Sequence, residues 1–215
     1  LTPVYVGLTD KYDAKWIVII ASISICLACF SLWFFAVGFW STCLIWGVVG
    51  SGLAGTYMPG LQVLNDRLNM TDRVKLTPWY TSSFGLSNGI SFAVIGYLFA
   101  KFSWKIACYT TSISAALSAI IILFLITSHN QKKNITERKF FDLRPAFKNK
   151  EALGYIFSYG THTYELFAYR AWIFTFLLWA SLRTPNTISS ELISLIIGIF
   201  MFIGMVSSLM GAKFC

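Results

Sequence analysis

The chain has 215 residues, of which 56% are hydrophobic, 17% aromatic and only 12% charged, and its formal net charge is +8. A water-soluble domain of this length needs far more polar surface to cover its core. In a bilayer, lipid takes the place of that surface, so the composition excludes an ordinary soluble fold and leaves a polytopic membrane protein.

Taken in chain order, the sequence begins without an initiator Met. Its first residues, "LTPVYVGLTDK", lack the charged start of a signal peptide, and its last, "SSLMGAKFC", stop where a helix meets a loop. The expectation is a fragment of a longer protein. Six apolar segments, at roughly 15–37, 41–64, 77–100, 104–127, 153–182 and 188–212, each reach the about 20 residues that a crossing takes. None alternates as a barrel strand does, so the expected fold class is all-α, a polytopic membrane protein with six transmembrane helices.

The first segment holds Cys26 and Cys29 in a CxxC spacing, with no second pair and no nearby His. These two, like Cys43, Cys108 and Cys215, read as small packing residues, and no metal site or cofactor is expected. The second segment contains "GVVGSGLAGTYMPG", where glycines three or four apart let helix backbones approach closely and Pro59 loosens the ladder. Tyr57 and Gln62 in this segment and Asn88 in the third are polar positions that either face a central cavity or hydrogen-bond between helices. Asp66 and Arg67 fall at the cytoplasmic end of the second segment.

Between the fourth and fifth segments lies "SHNQKKNITERKFFDLRPAFKNKE", residues 128–151, a basic connector able to touch anionic head groups. With the N-terminal loop placed in the cytoplasm, thirteen basic residues fall on the cytoplasmic side. Three (Lys101, Lys105 and Arg183) fall outside, and Arg170 stays within a span, which accounts for all 17. This asymmetry fixes the orientation, with loops 1–14, 65–76 and 128–151 cytoplasmic, and it explains the positive charge without any nucleic acid. The sequons at Asn69 and Asn134 then lie on the cytoplasmic side, where glycosylation is not expected.

The fifth segment carries "GTHTYELFAYRAW", residues 160–172. On a helix advancing about 100° per residue, His162, Glu165, Tyr169 and Trp172 share a face about 80° wide, and Arg170 lies about 140° from Glu165. Glu165 falls about 16 Å into the span and Arg170 about 24 Å. A carboxylate at mid-membrane costs about 2.5–3.5 kcal/mol on insertion scales and is directed into the bundle or a water cavity. His162, Glu165, Tyr169 and Arg170, with Gln62 and Asn88, are therefore the candidate substrate or proton pathway. Arg170 pairs with another helix or an anionic ligand in this reading. The alternative is a structural polar cluster with Arg170 snorkelling outward.

Several stretches resemble the major facilitator superfamily. "GLTDKYDAK" (7–15) is similar to that family's Gly-x-x-x-Asp-Arg-x-Gly-Arg-Arg loop between helices two and three, with Asp10 and Lys11 as its acidic-basic pair. Asp13 and Ala14 stand where Gly-Arg is usual, and Gly7 is one residue closer to Asp10. "GSGLAGTYMPGLQVLNDRLNMTDR" resembles the fourth helix, "FSWK" (102–105) resembles the outer turn between helices five and six, and the basic loop resembles the link between the two halves. The resemblance implies a twelve-helix, two-bundle transporter. Residues 1–127 would supply part of the N-terminal bundle (the end of helix two and helices three to six), 128–151 the inter-bundle loop, and 152–215 the start of the C-terminal bundle. Asp10 and Lys11 would belong to a cytoplasmic gate. Trp46 stands where an Arg linked to proton coupling is common, and the fifth helix lacks a Gly-Pro pair. A uniporter or symporter is thus implied before a drug:proton antiporter.

The expected function is secondary active or facilitative transport of a small solute by alternating access, with a proton or sodium ion as candidate coupling ion. The expected partners are the solute, the lipid bilayer of the plasma membrane (the inner membrane if bacterial) and the remainder of its own chain. One alternative is a six-span scaffold or assembly subunit. Another is a membrane-embedded enzyme using His162 and Glu165, but neither His-Glu-x-x-His nor Gly-x-Ser-x-Gly occurs, so no enzyme is expected. No Gly-x-x-x-x-Gly-Lys-Ser/Thr loop for ATP occurs either.

Overall fold

The computed structural model describes residues 1–129, 147–184 and 188–211, apart from the side chain of Ser208. Among them run seven helices: α1 (Thr2–Thr9), α2 (Ala14–Phe35), α3 (Phe39–Arg67), α4 (Met70–Lys101), α5 (Trp104–Leu125), α6 (Lys150–Ser181) and α7 (Ser190–Gly211). No strand occurs among the described residues. Local chemistry sets the starts. Asp13 caps α2 by accepting from Lys15 N at 3.0 Å, and Asn149 caps α6 by accepting from Glu151 N and Ala152 N.

Two connections differ from expectation. Residues 2–9 are helical, so the entry into the first long helix is only the turn around Asp10–Asp13. The cytoplasmic loop expected over 65–76 shrinks to Leu68 and Asn69. Asn69 has the extended backbone of an N-cap, and Asp72 lies in the first turn of α4, where its charge suits the helix N-terminus. The polar stretch "MTDRVK" therefore winds as helix before the apolar segment begins, because helix ends follow capping chemistry whereas span ends follow hydrophobicity.

α2 packs against both α3 and α5, and α4 packs chiefly against α7. The first set is sealed by Ala14, Val18 and Val63 with Ile122 and Ile126, the second by Ile193, Ile197 and Met201 with Phe92, Phe174 and Leu177. Glycine permits the closest approaches. A Cβ on Gly55 of α3 would lie 2.8 Å from Ala21 Cβ of α2, and one on Gly89 of α4 would lie 2.8 Å from the Gly198 carbonyl oxygen of α7. Gly47 and Gly50, in the same glycine-rich run, meet nothing within 4 Å. Much of the remaining apolar surface is exposed, including Ile20, Leu27, Trp40, Phe124 and Phe157, as lipid contact requires. Four helices (α2, α4, α5 and α7) are long and apolar enough to cross a membrane. α3 and α6 are long enough as well, at 29 and 32 residues, but glycines and polar side chains interrupt them.

Candidate functional site

α6 presents the polar residues of the "GTHTYELFAYRAW" stretch on two different sides. His162 and Glu165 lie three residues apart, with Nδ1 and Oε2 4.0 Å apart, on a face left open by the other described helices (68% and 80% exposed). Tyr169 is exposed with them. Arg170 turns the other way, toward α4, with its guanidinium carbon 4.9 Å from the ring centre of Phe84. The helical register anticipates this separation, since Glu165 and Arg170 cannot meet along one helix at a five-residue spacing.

Phe84 belongs to an aromatic wall. Its ring lies 5.3 Å from that of Tyr57 on α3, which lies 6.0 Å from Tyr80 on α4. The Tyr80 hydroxyl donates to the Tyr57 carbonyl oxygen at 2.8 Å and sits where a Cβ on Gly60 would fall, so glycine makes room for it. The other polar candidates are held within their own helices. Gln62 donates to Asp66 at 2.6 Å, and Asn88 donates to the Phe84 carbonyl one turn back, also at 2.6 Å. Arg170 Nε and Nη1 are buried and find no hydrogen-bond partner among the described residues. Unsatisfied buried polar atoms are uncommon; Ser82 Oγ and Asp66 Oδ2 are the others among the described residues.

A second constellation joins the N-terminal end of α2 to the C-terminal ends of α3 and α5. Arg67 Nη2 lies 3.2 Å from Asp13 Oδ1, and the same guanidinium donates to the carbonyls of Thr127 and Val63. Asp13 also accepts from the backbone N–H of His129 at 2.8 Å and of Lys15 at 3.0 Å. Burial pushes the Asp13 carboxyl up, but these hydrogen bonds and the Arg67 charge outweigh it and hold the group below the usual carboxylate value. Nearby, Lys15 Nζ caps α5 by donating to the Leu123 carbonyl at 3.1 Å. Asp10, by contrast, stays exposed at the end of α1 and Lys11 beside it is exposed too. The sequence marked the two residues separately, Asp13 as a departure from a glycine and Arg67 as an interfacial residue at the end of the second segment, but did not pair them.

At the opposite ends of α4 and α7, Lys101 and Glu191 pair at 3.2 Å. A cavity of about 300 Å³ between α4, α6 and α7 is lined by Phe92, Gly96, Phe99, Phe174 and Ser194 and includes none of the polar candidates. No group of three His, Cys, Asp or Glu side chains placed for a metal occurs among the described residues. The basic connector expected to join the bundles lies mostly outside the described residues, as do the sequon at Asn134 and Cys215.

No curated protein and no solved structure matches the chain. The family model described as the Major Facilitator Superfamily matches residues 1–215. The chain belongs to that superfamily, whose members are transporters in the membrane.

Proposed function

We propose that this member of the Major Facilitator Superfamily moves a small solute by alternating access, as a uniporter or as a symporter coupled to a proton or sodium ion. α2 to α7 are all spans in this reading, with α3 and α6 as the polar ones that line the path within a twelve-helix, two-bundle protein of the plasma or bacterial inner membrane. The division is the expected one, at 128–151, with Gln62 and Asn88 as further pathway positions and Asp10 and Lys11 beside the cytoplasmic gate. The observation that carries the proposal is the open polar face of α6. His162, Glu165 and Tyr169 lie halfway along a 32-residue helix, uncovered by the described helices. An ionisable pair at that depth is costly unless it faces a cavity or a partner, and solute sites of secondary transporters lie near the midplane.

Reconstitution of the full-length protein tests this. Glu165→Gln should lower the transport rate by about tenfold or more and flatten its pH dependence, as loss of an acid–base group does. An unchanged rate and pH profile would remove Glu165 from the path.

A further inference from the structure

The cavity between α4, α6 and α7 has a volume of about 300 Å³, at the lower end of the about 300–1,000 Å³ that small-molecule sites enclose. At about 30 Å³ for each water-sized unit, it holds roughly ten non-hydrogen atoms. Three phenylalanines face it, Phe92 and Phe99 from α4 and Phe174 from α6. Its back is closed where α4 lies directly on α7, since a Cβ on Gly96 would run into the Ser194 side chain. Ser194 is buried, and its hydroxyl is used in donating to the Ser190 carbonyl at 3.0 Å. The hydroxyls of Ser91 on α4 and Ser190 at the start of α7 are the other polar groups at the wall. No Asp, Glu, Lys, Arg or His lines the cavity. The charged neighbours in sequence are engaged elsewhere: Glu191 pairs with Lys101 at 3.2 Å, and Arg170, one turn before Phe174, lies against Phe84. Phe84 and Phe92 are about two turns apart on α4, so the cavity continues the seam between α4 and α6 toward their C-terminal ends.

We infer that this cavity is an outer subsite for the transported solute, and that the solute is a neutral molecule built on a single aromatic ring. Phenylalanine walls hold a ring through edge-to-face and offset contacts. They offer no countercharge, so an ion would be buried unpaired, a cost that a neutral molecule avoids. One amide or hydroxyl on the ring can bond to Ser91 or Ser190, whereas a sugar would leave most of its hydroxyls without partners. Water competes weakly for such a space, because it needs several polar partners to settle there. The inference rests on the transport reading above and adds the solute class to it.

The test uses the full-length protein purified in detergent, at about pH 7.5, where carboxylates and amines are ionised. Saturation-transfer NMR follows benzamide and nicotinamide against benzoate, nicotinate and benzylammonium, with 1-decanol standing in for a lipid acyl chain. The amides should saturate one site at concentrations about tenfold or more below those of the ions. Ser91→Trp fills the cavity from an exposed position on its rim and should abolish that saturation. Phe174→Ala removes one wall and should weaken the amides about fivefold. If Phe174→Ala does not fold, Ser91→Trp decides. The inference is overturned if neither amide saturates, if the ions bind as tightly, or if Ser91→Trp leaves binding unchanged. It is overturned too if 1-decanol binds tighter than the amides and displaces them, which would make the cavity a lipid groove. Proteoliposomes separate the two levels. Entry of an amide should be saturable, dependent on the protein and blocked by Ser91→Trp. Flux confined to charged or acyclic solutes would overturn the inference and keep the transporter, and no flux of any solute would remove both.

Discussion

Asp13→Asn is the sharpest probe of the Asp13–Arg67 clasp. The substitution keeps the shape and one acceptor oxygen, so the amide side chain can still cap α2 through Lys15 N. It removes the charge facing Arg67 and, with the amide oxygen kept on Lys15 N, leaves His129 N without its acceptor. Charge-assisted hydrogen bonds contribute about 1.5–3 kcal/mol and neutral ones about 0.5–1.5, so the expected loss is about 2–3 kcal/mol. Arg67→Gln removes additional bonds to Thr127 and Val63 and should cost at least as much on its own. Because each change removes the same Asp13–Arg67 contact, the double variant should fall short of the sum by about 1–2 kcal/mol. Reversible unfolding in mixed micelles measures all four corners of this cycle. The sign of the pH dependence follows from the depressed carboxyl. Its stabilisation is complete above the unfolded value near 3.8 and is lost as pH falls through the lower folded value. The wild-type advantage over Asp13→Asn should therefore be flat from neutral pH down to about 5 and shrink only in stronger acid. Additivity within about 0.5 kcal/mol would refute the clasp.

Three further outcomes are expected. Gly89→Ala forces a methyl against the Gly198 carbonyl and should destabilise by about 1–3 kcal/mol in the same unfolding assay, whereas Gly47→Ala, with open space around it, should not. Tyr80→Phe deletes the hydrogen bond to the Tyr57 carbonyl and should cost about 1 kcal/mol. Lys101→Gln should change stability by less than about 1 kcal/mol, with the difference fading at high salt, because both side chains of that pair are partly in solvent.

How much of this was legible beforehand depends on the physics involved. Helix identity followed from long, largely apolar segments, a local property, and all six long helices overlap the expected segments, although only four are apolar enough throughout to cross a membrane on that ground alone. The separation of Arg170 from Glu165 was legible because helical geometry alone decides it. Helix ends at Asn69 and around Thr2–Thr9 were not, since capping acts independently of hydropathy. The Asp13–Arg67 contact joins residues 54 apart, and the Phe84–Arg170 contact joins two helices far apart in sequence. Sequence shows that such residues are out of place but not which of them meet. Asp13 stands out in the sequence only as a departure from a glycine, and nothing there singles out Phe84 or Tyr80.

The two ion pairs also differ in what they tie together, and that difference bears on movement. Asp13–Arg67 joins α2 and α3, and Arg67 reaches on to Thr127 just past α5, so it binds helices that already share one core. Lys101–Glu191 joins α4 to α7, which also approach closely at Gly89 and Gly198. Lys101 lies about 18 Å along α4 from Gly89, so in the proposed alternating access these ends would part by about 3 Å for every 10° of rocking about that point. In a full-length background cleared of native cysteines, a short cleavable linker between Lys101→Cys and Glu191→Cys should arrest transport, and its cleavage should restore it. A linker between Phe30→Cys on α2 and Tyr109→Cys on α5, whose rings lie 6.4 Å apart, should leave the rate unchanged. The opposite pattern, arrest by the α2–α5 linker alone, would show that the moving boundary runs through the first core and not along α4 and α7.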